Sequence, residues 1–137
     1  MDIKRVAIGT LVGGIILYAV GYLIFDLAFG EFYAANTGSA TGVERDPQLV
    51  WAVALGTLSY AALVTLGIGS RSSSSNAGAG IKVGAVVGFL LWFTVDFILH
   101  GITNVGNLTR TVVDPLLELV RGGIAGGVIA VVLGKIR

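Results

Sequence analysis

The sequence predicts an all-α integral membrane protein: a four-helix bundle made of two helical hairpins in parallel repeat, with both termini in the cytoplasm. Three observations carry this expectation. The 137-residue chain is 55% hydrophobic and only 12% charged. A soluble domain carries about 25% charged residues, so too few remain here to cover a water-facing surface. The apolar residues gather into four stretches, each near the roughly 20 residues that cross about 30 Å of hydrocarbon. There are 21 glycines and 2 prolines, which suits closely packed membrane helices. A net charge of +1 argues against a nucleic-acid partner. With no cysteine there are no disulfides, zinc thiolates or iron–sulfur clusters.

The first expected span covers residues 6–29 and is interrupted only by Asp26. Its apolar run exceeds the usual 7–15 residues of a signal core, so it is expected to be retained rather than cleaved. The second, 49–68, holds no charge. The third, 83–102, holds Asp96 and the single histidine, His100. The fourth, about 116–133, holds Glu118 and Arg121. Together they make residues 1–137 one transmembrane domain. Between the spans lie a polar loop over 30–48, the linker "RSSSSNAGAG", flexible by composition, and a short polar turn over 103–114.

Lys and Arg mark the cytoplasmic side of a membrane. Six of them, Lys4, Arg5, Arg71, Lys82, Lys135 and Arg137, fall at the ends and in the middle connection, against two, Arg45 and Arg110, in the other loops. That alternation predicts a multi-pass protein of the cell membrane with both ends inside.

The ionisable residues inside the spans need partners. Span three carries twelve Val, Leu, Ile or Phe residues, each worth about −0.3 to −0.6 kcal/mol of insertion against about +3 for a central Asp. It therefore still inserts, but with Asp96 facing protein or water. At about 1.5 Å per residue, Asp96 counted from Lys82 and Arg121 counted from Lys135 come out level, about 21 Å above the inner boundary. His100 and Glu118 come out level about a turn higher. The ruler thus predicts two pairings across spans three and four: Asp96 with Arg121, and His100 with Glu118. Asp26 would be a second partner for Arg121. Trp92, Asp96, His100 and Asn104 form one stripe at four-residue spacing, facing Glu118, Arg121, Gly122 and Ala125. Tyr18, Tyr22 and Asp26 form another, for which core packing with a hydrogen-bonded end is the plain account.

Asp26 aligns with Asp96, Tyr22 with Trp92 and Gly14 with Gly84. Each acid is followed by an Asp-Pro, Asp46-Pro47 and Asp114-Pro115. Each proline is expected at the first position of the next helix, where a missing N–H costs nothing. This is the pattern of a parallel repeat about an axis along the membrane normal.

"YLIFDLAFGEFYAANTG" and "GFLLWFTVDFILHGITNVGNLTRTVVDPLLELVRGGIAGGVIAVVLG" resemble small bacterial four-helix membrane proteins of the domain-of-unknown-function kind. The carrying motifs are the aromatic-to-Phe-Gly segment after span one and the run Thr103-Asn104, Leu108-Thr109, Val112-Val113-Asp114. The resemblance implies a bacterial integral membrane protein of four helices and no particular activity.

Asp26, Asp96, His100, Glu118 and Arg121 are the candidate ligand- or ion-binding residues. A metal needs three or four ligands, and a single histidine supplies too little, so no metal or cofactor is expected. Arg121 could also take an anion or a lipid headgroup. The pairs Gly9/Gly13, Gly84/Gly88, Gly122/Gly126 and Gly123/Gly127 allow close helix approach, within the bundle rather than at a dimer seam. Asn107-Leu108-Thr109 reads as a glycosylation acceptor only in a eukaryotic secretory setting. The leading expectation is a structural or accessory membrane subunit surrounded by lipid, in a homo-oligomer or a larger membrane complex. The alternative is a small transporter or ligand-binding protein using the same residues. With no cysteine and no nucleophile–base spacing, an enzyme is not expected.

Overall fold

The computed structural model describes residues 1–70 and 76–136. Helix α1 (Ile3–Gly21) runs without a break into a π-helical segment, Tyr22–Ala28. A short α2 (Gly30–Ala35) follows, then α3 (Val50–Gly69), α4 (Ala77–Ile102) and α5 (Leu108–Lys135). The described residues are helical apart from loops and one isolated bridge, Thr37 to Gly106. Four of the helical stretches, Ile3–Ala28, Val50–Gly69, Ala77–Ile102 and Leu108–Lys135, are long and apolar enough to cross a membrane. That suggests a multi-pass membrane protein.

The helix starts are capped by short polar side chains. Asp2, Asn76 and Asn107 each accept a hydrogen bond from the backbone N–H three residues on, at Arg5, Ala79 and Arg110. Each cap satisfies one of the donors that a helix start leaves over. Two of these caps move boundaries that the hydropathy pattern had set. Asn76 makes Ala77 to Gly80 the first turn of α4 rather than linker; the rest of the linker, including Arg71, lies outside the described residues. Asn107 starts α5 at Leu108, so most of the expected turn over 103–114 is helix. Pro115 consequently lies inside α5, and α3 opens at Val50, after a cis Asp46-Pro47 bond. Neither proline occupies a first helical position. Pro115 deprives the Thr111 carbonyl of its usual helical donor, which membrane helices tolerate where neighbours restore the bonding.

Lipid tails are as apolar as leucine, so membrane helices associate through packing and polar contacts rather than water exclusion. Glycine provides the packing here. Gly80, Gly84 and Gly88 of α4 lie against the backbone at Gly126, Gly122 and Glu118 of α5; a methyl group at any of the three would strike a carbonyl oxygen. This makes α4 and α5 the most extensively packed pair. In α1, Gly9 lies against Thr65, and Gly13 against Ala61 and Ile129. The four glycine pairs noted in the sequence all face partners within the chain. The core is Leu17, Tyr60, Ala61, Val64, Ala125, Ile129 and Leu133. Helix α5 touches α1, α3 and α4, while leucines and isoleucines on the outer faces, such as Leu11, Ile15, Leu55 and Leu90, stay exposed.

Both termini lie at one end, where Arg5 Nη1 donates to the carbonyls of Leu133 at 3.0 Å and Ile136 at 2.5 Å. At the other, the loop end, the two connections are tied together. Gly38 N–H donates to Val105 O at 3.0 Å, Ala40 N–H to Asn104 O at 3.0 Å, and Asn107 Nδ2 to Asn36 Oδ1 at 3.0 Å. The two hairpins differ in detail: the end of the first is π-helical over Tyr22–Ala28, whereas α4 stays α-helical to Ile102.

Candidate functional site

The polar residues of α5 recur at helical spacing. Arg110, Asp114 and Glu118 are four apart and Arg121 follows three later, so they share one face. The capped start at Asn107 sets this stripe in motion two turns earlier than the sequence suggested.

At its inner end, Arg121 Nη1 meets Glu118 Oε1 at 2.9 Å, with Glu118 only 2% and Arg121 9% exposed. Arg121 Nε donates to the Leu17 carbonyl of α1 at 2.8 Å. That oxygen precedes the π-helical segment by about a turn and has a second lone pair to offer. The guanidinium carbon also lies 5.6 Å from the Phe25 ring and 5.7 Å from the Tyr60 ring, within cation–π range. Gly21 makes room for it: a Cβ there would stand 2.7 Å from Arg121 Nη2. Tyr60 OH reaches the Glu118 carbonyl at 3.4 Å. One arginine thus holds α1, α3 and α5 together.

Nearer the loop end, Tyr33 of α2 donates its hydroxyl proton to Asp114 Oδ1. Arg110 lies over the Tyr33 ring, 5.0 Å from its centroid. Tyr33 also packs edge-on against Phe25 and Phe32. Burial, helped by the bond to Asp114, pushes the Tyr33 phenol well above its ordinary range. On α4, Asp96 is half-buried, with Asp114 and Arg110 of α5 as its charged neighbours. Two buried carboxylate oxygens, Asp96 Oδ2 and Glu118 Oε2, and the indole nitrogen of Trp92 have no hydrogen-bond partner among the described residues.

The five candidate residues therefore separate. Glu118 and Arg121 pair with each other on one helix, not with His100 and Asp96 across two. The ruler failed because Lys82 and Lys135 do not mark one plane. Gly80 faces Gly126 and Gly88 faces Glu118, so Lys82 lies well inside the level of Lys135, and the same register carries Asp96 past Arg121 to the turn that holds Arg110 and Asp114. His100 is exposed, with Nδ1 3.2 Å from Thr111 Oγ1. In its stripe Trp92 and Asp96 are half-buried while His100 and Asn104 are exposed. Asp26 is exposed on the π-helical segment and, among the described residues, makes no ion pair with Arg121 or any other group. Tyr18 and Tyr22, 41% and 52% exposed, are not core residues either.

Three participants had other readings in the sequence: Tyr33 as part of the polar loop over 30–48, Arg110 and Asp114 as turn residues. The four-residue spacing from Arg110 through Glu118 could have found the last two. Nothing in the sequence signals Tyr33, whose contact depends on how α2 folds back. Among the described residues no three His, Cys, Asp or Glu side chains come together as a metal site. No family model, curated protein or solved structure matches the chain.

Proposed function

We propose that this protein is a structural or accessory subunit of a bacterial inner membrane, whose polar cluster in the outer half of the bilayer locks its helices together. The observation that carries the proposal is the arrangement around Arg121. Its donors are directed inward, to Glu118 and to the Leu17 carbonyl, between two aromatic rings. A residue committed in this way is a fastening and is poorly placed to bind and release a ligand. In this proposal both termini are cytoplasmic, as the Lys and Arg distribution suggests, and the tied loops face outward. The two-hairpin repeat and the resemblance to small bacterial four-helix membrane proteins agree with it. The protein has no enzymatic role in this reading and works in a homo-oligomer or a larger assembly.

A second reading, a small transporter or ligand-binding protein, is favoured by one observation: the buried, partnerless oxygens of Asp96 and Glu118 beside Asp114. Water separates the two. In intact vesicles, single cysteines at Asp96 and at the deeper Leu91 would be exposed to a membrane-impermeant thiol reagent. A fastening stays dry, and both cysteines go unlabelled. Labelling of either from the loop side would replace the first reading with the second.

A further inference from the structure

Charged side chains within membrane spans face the interior of a bundle or a water-filled cavity. Asp26 does the opposite. It belongs to the apolar stretch Ile3–Ala28, which is long enough to cross a membrane, yet its side chain is exposed and makes no hydrogen bond or ion pair among the described residues. Tyr18 and Tyr22 stand exposed beside it at four-residue spacing. The segment around it is π-helical, and none of its residues is buried. π-Helical turns are uncommon and recur at functional sites.

The depth of Asp26 can be read from its neighbours. Gly21 lies against the Arg121 guanidinium, and Asp26 is five residues on, about 7 Å toward the loop end. From Arg121 to the start of α5 at Leu108 is about 20 Å. About 13 Å of helix therefore extends past Asp26, carrying exposed Leu108 and Val112 on α5 and exposed Ile98 and Ile102 on α4. With those residues in hydrocarbon, Asp26 lies below the lipid headgroups.

We infer that the Tyr18–Tyr22–Asp26 face of α1 and its π-helical extension docks a second membrane protein through a spanning helix that bears a lysine or arginine at the depth of Asp26. Charge complementarity selects this occupant. A second copy related by an axis along the membrane normal brings Asp26 to Asp26, a like-charge contact. A basic side chain pairs with the carboxylate and also has the Tyr18 and Tyr22 rings beside it for cation–π contact. This deepens the accessory-subunit proposal, which it assumes, by naming the docking face and the partner's chemistry.

The test uses the full chain with a dye on Ser39→Cys, in vesicles of phosphatidylethanolamine and phosphatidylglycerol. The probes are two acceptor-labelled Leu/Ala spanning peptides, one with a single Lys about 13 Å from its outer end and one with Leu there. The Lys peptide is expected to half-saturate energy transfer at roughly tenfold lower peptide-to-lipid ratio. Asp26→Leu and Asp26→Asn should both remove that preference and leave the melting temperature of the solubilised chain unchanged. Equal binding of the two peptides overturns the inference. So does a preference that survives in Asp26→Asn, which would mean a neutral hydrogen bond. Self-association of the wild-type chain that Asp26→Leu abolishes would assign the face to a second copy, and a nitroxide on Asp26→Cys reporting headgroup depth would assign it to lipid; either result overturns the inference. Failure of the accessory-subunit reading shows separately, as thiol labelling at Asp96→Cys, which Asp26 does not influence.

Discussion

Arg121 and Glu118, one turn apart on α5, form a 2.9 Å ion pair enclosed by α1 and α3. Removing one partner of such a pair leaves the other charge buried and uncompensated, whereas replacing both with apolar residues often costs little. Arg121→Ala is accordingly expected to lose about 3–5 kcal/mol of stability, and Glu118→Leu with Arg121→Met to recover most of that loss. Unfolding of the detergent-solubilised variants measures both. A single variant as stable as wild type would mean the pair does not hold the helices.

The α4/α5 contact depends on absent side chains. Gly84→Ala places a methyl group against the Gly122 carbonyl and has no flexible neighbour to displace. It is expected to cost about 1–3 kcal/mol, in the manner of an overpacked core. Gly56→Ala on α3 is the control, since a Cβ there meets nothing within 4 Å; it should be neutral or slightly stabilising, because alanine favours helix. Equal unfolding of the two variants would contradict the close approach.

Tyr33 predicts a dependence on alkaline pH. Its phenol is raised in the folded state, first by burial and then by the bond to Asp114. A raised group contributes stability that is fully present below its unfolded value, about 10 for tyrosine, and that is lost as pH climbs toward the folded value. The advantage of wild type over Tyr33→Phe should therefore be constant up to about pH 10 and shrink above it. Paired unfolding curves from pH 8 to 11.5 test this. A difference that grows with pH would mean the phenolate is the favoured form.

Sidedness has its own measurement. Ser39 lies in an exposed loop at one end of the bundle, and Ser70 is exposed at the end of α3, where both termini lie. In intact cells an impermeant thiol reagent should reach Ser39→Cys and should reach Ser70→Cys only after permeabilisation. The reverse pattern would invert the proposed orientation.

The four spans were legible because hydropathy over 20 residues is an intrinsic property of each segment. The glycine contacts were legible as contacts within the chain, since spacing alone puts Gly84 and Gly88 on one face. Helix ends were not. Asn76 and Asn107 extend α4 and α5 past their apolar cores, and a hydropathy window passes over polar residues that are nonetheless helical. That error fed the next. With the start of α5 read as a turn, Arg110 and Asp114 fell outside the helix, and a ruler laid from Lys82 and Lys135 matched Asp96 to Arg121. The true register depends on which glycine of α4 meets which of α5, a tertiary fact. The partnership of Tyr33 with Asp114 is tertiary as well.

An ion pair completed within one helix has a consequence for biogenesis. A bridge between Asp96 and Arg121 would have required two segments to be in the bilayer before either charge was neutralised. Because Glu118 and Arg121 belong to the same segment, that segment can leave the insertion machinery with its charges already matched, and need only find the Leu17 carbonyl once the earlier helices are in place.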